Sequence, residues 1–94
     1  MSQYTLTLTL PERLTLAETT LILARLDRET ALHPRAGVVL NAASLNVFDS
    51  SALALLLAVR RGQITRGKVL RVSGWPSRLN QLATLYGVRD LLAI

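Results

Sequence analysis

The succession of hydrophobic patterns in this chain predicts an α/β domain, a mixed β-sheet with helices packed mainly on one face. Three observations carry that expectation. "YTLTLTL", Tyr4 to Leu10, alternates threonine and leucine with the two-residue period of a strand that buries one side. "VVL", Val38 to Leu40, is a short apolar run without alternation, which reads as a central strand buried on both faces. Around these runs apolar residues recur at helical spacing, so the order is β-(β)-α-β-α-β-α. Right-handed crossovers then make the later strand pairs parallel.

Each element has its own signal. Pro11 interrupts the first strand, and "ERLT" reads as a short returning strand. Thr15 and Glu18 have the S/T-x-x-E spacing of a capping box at a helix start. The helix behind them places Leu16, Ile22, Leu23 and Leu26 along one face. "HPRAG" is a loop broken by Pro34 and Gly37. After "VVL" comes the helix "SSALALLLAVRRGQIT", and then the strand "KVLRVSG". Pro76 suits the first turn of a last helix, where its missing donor is harmless. Leu79, Leu82, Ala83 and Tyr86 share a face of that helix, and Gly87 suits its C-terminal cap.

Composition narrows the class of function. The 94 residues suit one domain spanning 1–94, and its core must be built from Leu, Val and Ala because aromatic residues are few. The longest apolar run, Ala52 to Val59, is far shorter than the roughly 20 residues that span a bilayer. No secretory signal is visible, and cysteine is absent. These features predict a soluble cytoplasmic domain without disulfide or thiol chemistry. The net charge of +5 comes from dispersed residues, with few aromatics to stack on bases. A solvated surface that favours acidic partners is the better reading, and no nucleic-acid partner is expected. His33 stands alone in a loop without cysteine or a second histidine, so no metal site is expected. The glycines match neither phosphate-binding pattern, so no cofactor is expected and an enzyme has little support.

The residues that invite a function are Asp49, Ser50 and Ser51, set at the head of the most hydrophobic helix. Asp49 or Ser50 can cap that helix, and any ordinary helix could use such a cap. The helix itself carries more apolar surface than one sheet-facing stripe needs. At about 100° per residue, Leu53, Leu56, Leu57 and Ile64 share the sheet-facing side. Ala54, Ala58 and Gly62 form a stripe of small residues that lets a second surface approach the backbone. Leu55 and Val59 lie on a third side, covered either by neighbouring helices or by a partner. On the second alternative, a charge at Leu55 or Ala58 weakens partner binding while the domain still folds.

The stretch "VVLNAASLNVFDSSALALLLAVRRGQITRGKVLRVSGWPSRLNQLATLYGVRDLL" resembles a STAS domain, the module of bacterial anti-sigma-factor antagonists and sulfate-transporter tails. The family pattern D-[ST]-[SG]-G-L at a helix start falls on Asp49, Ser50, Ser51, Ala52 and Leu53. The continuous "LALLL" and the "LA-x-LYG" ending are more similar to the small MlaB-like subunit of the lipid-asymmetry (Mla) ABC transporter. That resemblance implies a non-enzymatic accessory subunit, held at the inner membrane through its partner, that binds and stabilises or regulates the transporter ATPase. The partner-binding residues it implies are Asp49, Ser50, Ser51, Ala54, Leu55 and Ala58. The alternative resemblance, to antagonists of an anti-sigma serine kinase, implies phosphorylation of Ser50. Two positions depart from the pattern. Ala52 replaces glycine, and Asn41 stands where the strand commonly ends in aspartate, which weakens the case for regulated phosphate chemistry at this turn.

Overall fold

A computed structural model describes residues 5–32 and 37–92. Tyr4, His33 and Pro34 lie outside them. Strand β1 (Thr5–Thr9) keeps its alternation: Leu8 and the following Leu10 are buried, while Thr7 and Thr9 are exposed. It pairs in parallel with β3 (Gly37–Asn41), and β3 pairs in parallel with β5 (Val69–Ser73). The sheet order is therefore β1-β3-β5, with β3 in the centre as its apolar run predicts. Val38 and Leu40 are buried beneath the helices, but Val39 is only half-buried. That corrects the expectation of a strand buried on both faces. Helices cover one side of the sheet, and the other side carries Thr7, Val39 and Arg71 in a row.

The short strand β2 (Arg13–Leu14) does not return along β1. It pairs in parallel with β4 (Val47–Phe48), forming a separate two-stranded sheet. The pairings among the described residues are all parallel, so the single mixed sheet expected from the pattern is instead two small parallel ones. The Glu12 carbonyl fastens the pair by accepting from Asn46 N–H at 2.8 Å and Val47 N–H at 3.0 Å. Leu14 and Phe48 turn into the core.

Helix α1 (Leu16–Ala31) starts with the capping box its sequence encodes. The Thr15 hydroxyl accepts from Ala17 N–H at 3.3 Å, and the Glu18 carboxylate accepts from Thr15 N–H at 2.8 Å. One first-turn donor and the cap residue's own donor would otherwise face solvent unpaired. Leu26 is buried, and Ile22 and Leu23 pack partly against the core. Leu16, placed on the same face by its spacing, is instead 75% exposed.

Helix α2 (Ser50–Thr65) buries Leu53 and Leu56, while α1 lies alongside it. Leu57 is half-buried and Ile64 is 52% exposed, so the sheet-facing stripe ends before the helix does. Helix α3 (Ser77–Leu85) follows Pro76, which sits at the cap and not inside the first turn. Leu79 and Ala83 are buried, whereas Tyr86, at the C-terminal cap, is 57% exposed. Gly87 takes the positive φ of 71° that ends the helix. A 3-10 turn at Asp90–Leu92 returns Leu92 to the core. Between β5 and α3, Gly74 has φ 68° and lies against the backbone of Ala43. A Cβ there would come 2.9 Å from Ala43 N, too close for any side chain.

Candidate partner-docking surface

Asp49 leaves β4 in an extended conformation and caps α2. Its Oδ1 accepts from Ser51 N–H at 2.9 Å, the bond expected of a capping aspartate. Its Oδ2 faces Leu16 N–H, the first amide of α1, at 3.4 Å. One carboxylate thus ties together the N-terminal ends of two adjacent helices, where exposed amides and aligned peptide dipoles favour negative charge. The Ser51 amide is the main reason that the Asp49 carboxyl titrates below its ordinary value, with Leu16 adding to it and burial opposing.

The residue before the cap is held as well. Arg78, in the first turn of α3, donates to the Phe48 carbonyl at 2.7 Å. Its guanidinium also lies 4.4 Å from the Phe48 ring centroid, a cation–π contact. All three helices therefore meet around Phe48 and Asp49, and the position of Ser50 follows from theirs.

Ser50 is exposed and Ser51 half-buried, and between them they head two shallow apolar grooves. The first, about 270 Å³, runs between α2 and the chain after α3, with Ser50, Ala54, Leu57, Tyr86 and Val88 along it. The second, about 200 Å³, runs between α1 and α2, with Leu16, Thr19, Leu23, Ser51 and Ala54 along it. Ala54 is the exposed ridge common to both. Its methyl group is small enough to let an approaching surface reach into either groove.

Of the six residues implied at the sequence level, the structure brings Asp49, Ser50, Ser51 and Ala54 to one exposed region. Leu55 is not exposed on that surface. It is 2% exposed and forms the floor of the second groove, because α1 covers the side of α2 that the wheel left open. Val59 is buried in the same cluster, so of the two alternatives for this side, neighbouring helices are the correct one. Ala58 is half-buried and lines neither groove.

Helical periodicity assigns Leu16 and Tyr86 to core faces, yet both are surface residues. Each sits at the very end of its helix, beyond the reach of the residues that would cover it. That terminal position was the one signal available. Asn41, found where aspartate is usual, has a local role: its Oδ1 accepts from Ala43 N–H at 2.9 Å and shapes the turn that follows β3.

The described residues contain no group of three metal-binding side chains and no helix long and apolar enough to cross a membrane. No curated protein matches the sequence. Among solved structures, the chain is similar to a sulfate transporter family protein from Wolinella succinogenes, with a TM-score of 0.75 and 16% identity. The likeness covers 95% of this chain and 71% of the other, and at that identity it speaks for the fold. The family model described as "Mlab, STAS domain" matches residues 1–93. That match spans nearly the whole chain, so the protein belongs to the MlaB-like STAS domain family.

Proposed function

We propose that the chain is a non-enzymatic accessory subunit that docks on the ATPase of a phospholipid-transporting ABC transporter through the α1–α2 surface around Ala54. The observation that carries this reading is the pair of apolar grooves flanking Ala54, each headed by a serine of the Asp49-Ser50-Ser51 turn. Exposed Leu16 and Tyr86 extend the apolar area to either side. Such an arrangement suits an apolar projection from a partner, with the hydroxyls at the rim supplying hydrogen bonds. Membership of the MlaB-like family supports the choice of partner.

A second reading is favoured by Ser50 itself. Its side chain is exposed at the first position of a helix, where a kinase could reach it, as an anti-sigma-factor antagonist requires. Pull-down of the tagged chain from its native host, with mass spectrometry of the bound proteins, separates the two. Recovery of an ABC ATPase supports the transporter subunit. Recovery of an anti-sigma serine kinase without an ATPase overturns it.

A further inference from the structure

The domain carries a second feature that the docking surface does not use. Strand β5 is an edge, bonded to β3 on one side only. The Ser73 carbonyl accepts from Ala42 N–H at 2.8 Å, so Ser73 directs its peptide groups towards β3. Peptide groups alternate direction along a strand, and with the β3 register this turns Val69 and Arg71 towards β3 as well. Leu70 and Val72 therefore direct their N–H and C=O groups outward, and no described backbone group bonds to them there. A trough of about 610 Å³ follows the whole strand and includes Val39 on the open face. A second groove, about 330 Å³, meets the start of the strand on the helix side, beside Arg60 and Ile64. Val69 borders both and is 59% exposed.

Edges of this kind are usually blocked by proline, a bulge or a covering loop, or else guarded by charge. Here the guard on the open face is a single residue, while the Asp90–Leu92 turn packs against the strand on the helix side. Arg71 lies exposed at the middle of β5, on the open face, and forms no ion pair with the described residues. If two copies paired β5 with β5 antiparallel over its full length, Arg71 would fall opposite Arg71. Like charges directly opposite each other destabilise a strand pair. A foreign strand with a carboxylate at that position meets the opposite situation. The nearby charges favour it on balance: the chain from Ser50 to Arg89 contains no acidic residue, while Asp90 lines the groove on the helix side, away from the open face that carries Arg71.

We infer that the β5 edge is a second interaction site, which takes an extended, acidic segment of a partner protein by strand addition. Leu70 and Val72 supply the backbone hydrogen bonds, and Arg71 selects a carboxylate on the open face. The site is independent of the Ala54 surface, so either can fail without the other.

The test uses the full chain, labelled with ¹⁵N, titrated with the peptide acetyl-Thr-Val-Glu-Val-Thr-amide and with its counterpart carrying Lys in place of Glu. The expected result is shift changes and slowed amide exchange centred on Leu70 and Val72, with the Lys peptide binding at least about tenfold more weakly. Arg71→Glu, an exposed change whose folding is checked by melting, reverses that preference. Equal binding of the two peptides overturns the proposal, as do shifts centred on Ala54. So does dimerisation of the wild-type chain through β5 in sedimentation, which makes the edge a self-association surface. Binding to anionic phosphatidylglycerol vesicles with no response to either peptide assigns the basic surface to a membrane and overturns it too.

Discussion

The Asp49 carboxylate stands 3.4 Å from the Leu16 amide while capping its own helix, so the starts of α1 and α2 are joined through one side chain. The second groove opens between those two helix starts. Its shape, and with it the setting of Ser51, depends on a charge that is not itself in the groove.

That dependence predicts an acid-sensitive fold. Asp49 and Glu18 both titrate below their ordinary values of 3.8 and 4.5, Asp49 mainly through the Ser51 amide and Glu18 mainly through the Thr15 amide. A depressed carboxyl contributes stability that is complete above its unfolded value and lost as pH falls through its folded value. Asp49→Asn is therefore expected to melt a few degrees below wild type at neutral pH. The two melting curves are expected to converge as pH falls below the ordinary value of 3.8. Melts from neutral pH down to about pH 2.5 check this. A constant gap throughout would show that the charge is not what joins the helices.

Leu55 and Ala54 are neighbours with opposite roles. Leu55→Ala is expected to cost about 2–5 kcal/mol, because α1 cannot fully collapse into the space left behind. Leu55→Glu is expected not to fold. Ala54→Glu, on the exposed ridge, is expected to leave the melting temperature nearly unchanged and to reduce affinity for the proposed ATPase partner by about tenfold or more. Thermal melts and calorimetric titration on the same proteins separate folding from binding.

Ser50 tests what charge does at the rim of the first groove. Ser50→Glu is expected to weaken partner binding, since the added charge must be desolvated or matched by cations when the groove is covered. Ser50→Ala is expected to keep most of the affinity. Stability should change little in either variant, because the helix start favours the new charge while Asp49 repels it. Wild-type affinity for the glutamate variant would reduce the turn to a helix cap.

Gly74→Ala is expected to destabilise the domain by about 1–3 kcal/mol, from the positive φ alone. Contact with Ala43 adds to the loss, since the obstacle is backbone and cannot swing away. Gly67 has a similar φ with open space around it, so Gly67→Ala supplies the control for the contact. Chemical denaturation of both variants measures the difference.

How legible the structure was in the sequence depended on how local each signal is. The Thr15–Glu18 box and the Asp49 cap each lie within one helical turn, and both formed as their spacing required. The central position of "VVL" followed from its apolar run, since β3 has a strand on each side and buries Val38 and Leu40 beneath the helices, but the run did not show that Val39 stays half-buried on the open face. Two residues of β2, by contrast, carry no information about direction, and the pairing with β4 is decided by Glu12, Asn46 and the core. The wheel located Leu55 and Val59 correctly on α2 but could not show that α1 lies over them. Ser50 and Ala54 were identifiable because a polar turn and a small residue interrupt an apolar helix. Leu16 and Tyr86 look in sequence like any other core residue.

The parallel pairings have a consequence for how the molecule is assembled as it is made. Thr5 pairs with Gly37, and Gly37 with Val69, so each bond line of the main sheet waits for an entire helix to be synthesised and folded back. Among the described residues no hairpin offers a local start, and closing such long loops is what slows sheet-forming chains. Until Ser73 has left the ribosome, the β5 side of β3 is an unpaired apolar edge. At roughly 5–20 residues per second that exposure lasts seconds. The helices α1 and α2, rich in local contacts, are the parts able to form in that interval and shield the nascent strands.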